Sequence, residues 1–543
     1  MFSEPVVGEK FYGRHEVLEL LNKRVLALKD GYRQNVALAG QSLAGKSSII
    51  MHFLHSIKDE GFVPVYVEVT KEPFRQFSNR FLATLLYNTL TATGEEVEID
   101  MAVLLERAQR RLPKTGLLIK TMNSHIEKNE IDEAYSTLLA LTQAVKEDTA
   151  LPCIVILDEF DNLEHLGVKN PFLGFGKVIM VQKDTMYIVS SSRDSAIKKI
   201  LSEKLSLLFG NFEVVKVSNF DIDTAAGFVD AKLAGFDIDP KMKEFLISLT
   251  DANPFYLDKL AAAARRGAEE RMSGYVAECD VLEALLKLVY DANGVIHQYL
   301  MTYVLSLLDS RQRDGQMAIL ISIANRERRP ADIARRLRIK MGEVSKALDR
   351  LVETALISKN GLFYKIDDTM LEFWLKHVYQ RRTELLVDGT FNKERIFRKD
   401  IASYIASFVE QSSHHYITRL ADLFGLFSNE LVGFDNKNIR LPHFTKVETR
   451  SFADTNRYIA CSFRSNYWII RPYESNVTET DIINYIRNVK TLDCRISSKV
   501  IIPLKGIDDN ANLLAKELKI VTWGLPSINM LLGFYGRQKI VIL

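Results

Sequence analysis

The chain has 543 residues, of which 47% are hydrophobic and 26% charged, a composition of packed globular domains that excludes a disordered polymer. Formal net charge is only +2, which excludes a uniformly basic nucleic-acid binder and leaves any such contact to a local patch. No apolar run approaches the ~18 residues of a membrane helix. The opening Met1-Phe2-Ser3-Glu4-Pro5 lacks the basic-then-apolar pattern of a signal peptide. Cys153, Cys279, Cys461 and Cys494 are far apart and form no metal-ligand spacing, as in a reducing compartment. We therefore expect a cytoplasmic chain with no membrane segment, divided into about three to five domains.

In chain order, residues 1–220 alternate short apolar runs with helical patterns, which predicts an α/β unit on a parallel sheet. Residues 221–308 read as helical. Residues 309–385 read as a small helical unit that ends in β-like sequence. Residues 386–543 turn aromatic and return to α/β alternation after residue 465.

The strongest local signal is in the first region. Asn35 to Gly40 reads as a buried strand, and Ser47 to Leu54 reads as a helix. Between them, Gly40-Gln41-Ser42-Leu43-Ala44-Gly45-Lys46-Ser47 is GxxxxGK[ST] in the strand-loop-helix context of a phosphate-binding loop. Glycines let backbone N–H groups wrap an anion, and the helix N-terminus adds unpaired donors, including that of Ser48. Lys46 is expected to reach the β- and γ-phosphates of ATP, and Ser47 to ligand Mg2+.

Cys153 to Leu157 is an apolar run that ends in Asp158-Glu159. Paired carboxylates at the end of a buried strand need a cationic partner, and magnesium is one. Asp158 fits the metal-site carboxylate, through water, and Glu159 the general base that polarises the attacking water. Asp161 and Glu164 read as solvated helix charges. A third strand, Met186 to Ser190, runs into Ser191-Ser192-Arg193, any of which could approach a γ-phosphate. Arg193 is a candidate catalytic cation, or equally a salt-bridge partner of Asp194.

Together these residues resemble the archaeal-type ATPases of the STAND class, relatives of the AAA+ and origin-recognition ATPases. Phe11-Tyr12-Gly13-Arg14-His15-Glu16-Val17-Leu18 looks like the family's box ahead of the P-loop. Ser191-Ser192 matches its sensor strand end, and Ala252-Asn253-Pro254-Phe255-Tyr256-Leu257 looks like its G-N-P-x-x-L lid motif. The resemblance covers about residues 5–385. It implies an ASCE-type P-loop core, a helical lid and a winged helix, with Gly13, Arg14 and Pro254 at the nucleotide. The chain departs from the family at Ala252, where glycine is usual. It departs again at Leu207-Leu208-Phe209-Gly210-Asn211, where a Gly-Arg pair usually supplies an arginine finger. Slow hydrolysis follows, or another arginine (Arg193 or Arg14) serves.

Within 309–385, Met317 to Asn325, Pro330 to Leu337 and Gly342 to Val352 read as three helices. Leu356 to Ile366 reads as a hairpin about Asn360-Gly361, which makes a winged helix-turn-helix. The region holds 16 Lys+Arg against 11 Asp+Glu. Ser345, Lys346, Asp349 and Arg350 are the candidate groove-facing residues, with Lys359 and Lys365 on the wing for phosphates. Double-stranded DNA is one partner that fits. A packing or autoinhibitory module fits as well, since Glu343 and Asp349 oppose a phosphate backbone.

The last region reads as strands at Tyr467–Arg471, Lys499–Pro503 and Lys519–Trp523 separated by helices, an order that resembles the later half of a restriction-endonuclease-like domain. Ile469-Ile470-Arg471-Pro472-Tyr473 carries no ExK, and Asp454 is an upstream acid without a partner in pattern. We expect a nuclease-like fold without cleavage chemistry. The expectation for the whole is an ATP/ADP-controlled switch in defence or DNA-linked regulation, acting with a protein partner or as a homo-oligomer. An initiator-type DNA binder and a nuclease effector are its rivals.

Overall fold

The structure is a computed structural model and describes residues 4–57, 61–205, 210–388, 393–434, 437–452 and 456–542. The chain divides into two compact units, Met1–Asn219 and Phe220–Leu543.

The first unit is a five-stranded parallel sheet in the order β2-β3-β4-β1-β5. Its strands are β1 (Asn35–Ala39), β2 (Val63–Glu68), β3 (Cys153–Asp158), β4 (Thr185–Ser191) and β5 (Phe212–Lys216). The three central strands are buried along their whole length, because both sheet faces are covered and a period of two gives each face alternate residues. On one face, Val36, Leu38, Ile154, Ile156, Met186 and Ile188 pack with α1 (His15–Lys29) and α2 (Lys46–Ser56). On the other, Ala37, Val155, Leu157, Tyr187 and Val189 pack with α3 (Phe74–Ala92) and the helices Met101–Arg111, Pro113–Glu127 and Ile131–Thr149. This alternation puts Asp158 and Ser190, two residues beyond Ile156 and Ile188, on the α2 side of the sheet.

The second unit begins with helices Ile222–Lys232, Pro240–Thr250, Pro254–Glu270, Glu278–Leu285 and Val295–Leu307, and a two-stranded pair of β6 (Asp237–Ile238) and β7 (Tyr275–Val276). Three helices follow, Arg313–Ala324, Pro330–Leu337 and Met341–Glu353. An antiparallel hairpin of β8 (Ile357–Asn360) and β9 (Phe363–Ile366) closes the segment. Asn360 ends β8 and is not itself a loop residue. The two-residue loop is Gly361-Leu362, and Gly361 takes the positive φ of +59° that such a loop demands.

Helix Lys393–Ser413 lies in the stretch read as aromatic, yet it packs on the first helices of the unit. Phe245 meets the Phe408 ring edge-on at 5.3 Å, Tyr290 stacks on Phe397 at 4.4 Å, and Arg398 pairs with Glu283. Four strands then appear ahead of residue 466: β10 (Leu431–Phe434), β11 (Lys437–Arg440), β12 (Lys446–Ser451) and β13 (Arg457–Phe463). β12 pairs antiparallel with β13, and β13 antiparallel with β14 (Asn466–Tyr473); β15 (Ile496–Pro503) and then β16 (Val521–Thr522) extend the sheet in parallel. Asp454, the acid singled out in the sequence, lies outside the described residues.

The hairpin is built into this last sheet region. Phe363 stacks on Phe534 at 5.3 Å, and the Asn360 side chain both donates to the Gly433 carbonyl (3.0 Å) and accepts from its N–H (2.6 Å). Buried Glu430 accepts from Arg329, Ser428 and Tyr535. Gly361 has no room for a side chain, since a Cβ would run into the Leu431 carbonyl oxygen. Gly361→Ala adds that collision to an unfavourable φ. It is expected to destabilise the second unit by about 2–4 kcal/mol, measured as a lowered melting temperature against Gly315→Ala, a helix position with open space for a Cβ.

Candidate nucleotide site

The loop from Gly40 to Gly45 joins β1 to α2. Leu43 (φ 61°) and Gly45 (φ 96°) take left-handed conformations that curl the backbone. Gly40 is required by packing, since a Cβ would collide with the Val217 carbonyl that follows β5. Ala44 is buried, while Gln41 is exposed and Ser42 half-buried. Lys46 opens α2 and is itself buried. Its ammonium donates to the carbonyls of Gly40 (3.0 Å) and Gln41 (2.9 Å) and to Ser192 Oγ (3.2 Å). Burial lowers the Lys46 pKa, and the carboxylates of Glu159, Asp158 and Asp161 offset part of that fall.

Asp158 is 2% exposed, so its charge has to be solvated by protein groups. Ser47 Oγ (2.7 Å) and Tyr66 OH (3.1 Å) donate to its Oδ2. Ser190 Oγ and the Glu159 N–H (3.2 Å) donate to its Oδ1. Burial first, and then Asp158, raise the Tyr66 phenol pKa. Glu68, opposite Asp158 in the β2–β3 register, is raised by burial and then by Asp158.

Glu159 has a φ of 54°, a conformation that costs a non-glycine residue on the order of 1 kcal/mol and persists only where the surroundings enforce it. Ser192 does so. Its N–H donates to one carboxylate oxygen at 3.1 Å and its hydroxyl donates to the other. Burial lifts the Glu159 carboxyl above the usual range, against the opposing pull of Lys46 and of the Ser192 hydroxyl.

The neighbouring acids correct one expectation. Asp161 is not a solvated charge: it is buried, accepts from Ser191 Oγ (2.7 Å), and forms a salt bridge with Arg193, whose Nε donates at 2.7 Å. The 3-10 turn Phe160–His165 that follows β3 directs this side chain inward. Arg193 therefore has Asp161 as its ion-pair partner. Glu164 is exposed and pairs with Lys204.

Ahead of the loop, Gly13 (φ 68°) and Arg14 (φ 64°) turn the chain into α1. The Arg14 guanidinium donates to Ala44 O (3.1 Å) and Ser218 O (2.6 Å), so it braces the loop backbone. Phe11 stacks on His52 at 4.1 Å, and the Ser48 hydroxyl accepts from Val6 N at 3.0 Å. Gly210 and Asn211 are described; Leu207 to Phe209 lie outside the described residues. Pro254 opens its helix in the second unit, capped by Asn253, whose side chain accepts from Phe255 N at 3.0 Å. Lys346, Asp349, Arg350 and Lys359 are exposed, Ser345 and Lys365 are half-buried, and Arg350 donates to Gln312.

Tyr66, Ser190 and Glu68 were not singled out from sequence. Ser190 was within reach, since it ends an apolar strand as Asp158 does. Tyr66 was not, because only the β2–β3 pairing brings it to Asp158. For a divalent cation, the available donors are the Ser47 hydroxyl and the Asp158 carboxylate, hard oxygens that suit Mg2+. Among the described residues no group of three His, Cys, Asp or Glu could hold a metal unaided. Phosphate and water oxygens would have to complete the shell.

Residues 10–169 match the family model described as an AAA ATPase domain. The match supports nucleotide binding and, in general terms, ATPase activity. Among solved structures, the chain is similar to a Walker-type ATPase of Pyrococcus abyssi (17% identity, TM-score 0.49, covering 69% of this chain and 99% of that one). It is also similar to the Aeropyrum pernix ORC2 protein (14%, 0.42, 70% and 98%) and to the Thermotoga maritima RuvB Holliday junction branch migration motor (12%, 0.34, 69% and 99%). No curated protein matches the chain at a significant level. Among the described residues no helix is long and apolar enough to cross a membrane.

Arg193→Ala strands the buried Asp161 carboxylate and is expected to cost about 2 kcal/mol of stability, discounted for the partial exposure of the arginine. Asp161→Asn in the same chain should restore most of it in thermal denaturation. An arginine acting on phosphate would instead lose turnover that Asp161→Asn does not repair.

Proposed function

We propose that this chain is an ATP-binding, slowly hydrolysing switch of the STAND type. The observation that carries the proposal is the self-pairing of the catalytic candidates: Ser192 bonds both oxygens of Glu159 and also the Lys46 ammonium. Ser192 fills one acceptor position on each carboxylate oxygen and so fixes which lone pairs Glu159 can turn toward water. A γ-phosphate arriving at Lys46 competes with Ser192 Oγ for that ammonium, so nucleotide occupancy and the Ser192–Glu159 arrangement are coupled through Lys46. Ser47 and Asp158 would hold the cation that neutralises the phosphates. The Pro254 helix and its neighbours act as a lid, and the three helices with the β8–β9 hairpin as a winged helix. The β12–β16 region acts as a nuclease-like domain without cleavage residues, because β14 carries Ile470-Arg471-Pro472 where an acid and a lysine are needed.

Lys46→Ala is expected to abolish ATP binding in calorimetric titration. Glu159→Gln should still bind ATP, lose turnover by about a hundredfold or more, and persist in an ATP-bound state of altered size. Turnover in the wild-type chain should fall on acidification at a higher pH than an exposed glutamate would impose, because burial raises the Glu159 pKa. Unchanged turnover and assembly in Glu159→Gln would remove this residue from the mechanism.

A second reading, ATP-controlled contact with duplex DNA, draws on one observation. Arg335, Arg336, Arg338, Lys340, Lys346 and Arg350 are all exposed on the second and third helices of the winged helix and the turn between them. Duplex binding that weakens with salt is expected. The combined Lys346→Ala and Arg350→Ala change should reduce the slope of log affinity against log salt by about one per lost phosphate contact. A slope unchanged from wild type would leave the module a packing role.

A further inference from the structure

Tyr66 is on the edge strand of the first sheet and belongs to no motif. Strand β2 alternates buried and half-buried residues, with Val63, Val65 and Val67 in the α3-side core and Tyr66 packed against the core on the α2 side. Parallel pairing sets Tyr66 opposite Ile156 and Glu68 opposite Asp158. From there the phenol spans one pleat and donates to Asp158 Oδ2 at 3.1 Å, the same oxygen that receives the Ser47 hydroxyl at 2.7 Å.

A carboxylate has about four lone-pair positions, and Asp158 has four donors: Ser47, Tyr66, Ser190 and the Glu159 N–H. Two of them, Ser190 and the Glu159 N–H, are on Oδ1, and the other two are on Oδ2. On Oδ2, Ser47 is the residue that would turn its oxygen to the cation. Among the described residues, Tyr66 is then the side-chain donor left on Oδ2.

We propose that Tyr66 is a positioning residue for the divalent cation of the nucleotide, holding Asp158 Oδ2 toward the metal and its waters. The proposal rests on the reading of this site as an ATP site. The phenylalanine ring fills the same space without the donor, so Tyr66→Phe isolates the hydrogen bond from the packing. Outer-shell partners of this kind are worth 10- to 100-fold in metal affinity.

The test is calorimetric titration of ATP into the full chain, with Mg2+ and with EDTA, for wild type, Tyr66→Phe and Lys46→Ala. In Tyr66→Phe the affinity in EDTA is expected to match wild type, while the factor by which Mg2+ tightens binding falls about tenfold. The titration stoichiometry reports the folded fraction, so loss of stability lowers the number of sites and leaves that factor alone. A Mg2+ factor equal to wild type overturns the role of Tyr66 while the ATP reading stands. Absence of ATP binding in the wild-type chain, or equal binding in Lys46→Ala, overturns the ATP reading itself and this proposal with it.

Discussion

A carboxylate at the end of a buried strand has to be solvated by its neighbours, and in the first unit that demand is made by Asp158. At 2% exposure it has almost no access to water, and an unpaired charge in that position would cost several kcal/mol. The first turn of α2 supplies Ser47, β2 supplies Tyr66, β4 supplies Ser190, and the turn after β3 supplies the Glu159 N–H. Three strands and the P-loop helix are thereby brought to one point. The register of the sheet and the chemistry of the site are one constraint.

The same point is ringed by backbone that ordinary residues avoid. Gly13, Arg14, Leu43, Gly45 and Glu159 all have positive φ. Their contacts explain how the strain is held: Arg14 is anchored on Ala44 O and Ser218 O, and Glu159 on Ser192. Strain enforced by several independent contacts is a reservoir for a two-state element. Among the described residues, Ser192 hydrogen-bonds both Lys46 and Glu159. The Arg193–Asp161 pair beside it fixes the end of β4 from the opposite face.

The second unit is organised around Glu430 and the hairpin. Glu430 gathers Arg329 from the helical part with Ser428 and Tyr535 from the sheet part. Asn360 makes paired hydrogen bonds to Gly433, and Phe363 is buried in the same core as Trp523 and Phe534. With the hairpin turn committed to the sheet region, the exposed basic residues gather at Arg335, Arg336, Arg338 and Lys340 ahead of helix Met341–Glu353, which itself sets Lys346 and Arg350 against the exposed acids Glu343, Asp349 and Glu353.

The P-loop, three of the five parallel strands (β1, β3 and β4), the hairpin with its three helices, and the β14–β16 alternation were legible from the sequence. Each is written in local terms, as a glycine-lysine spacing, an apolar run of strand length, or a turn dipeptide. The identities of Lys46, Ser47, Asp158 and Glu159 as one group followed from the same local grammar. What the sequence could not contain was the partner of each charge. Asp161 read as a solvated acid because its burial depends on a 3-10 turn and on Arg193, 32 residues away. Tyr66 carried no signal in the sequence because only sheet register brings it to Asp158. The long helix Lys393–Ser413 was assigned by its position in the chain, whereas its aromatic contacts with Phe245 and Tyr290 placed it among earlier helices. Periodicity determines which elements form, since that is a property of neighbouring residues. Which buried polar groups satisfy one another is decided only when distant elements are packed, because desolvation is a property of the assembled interior.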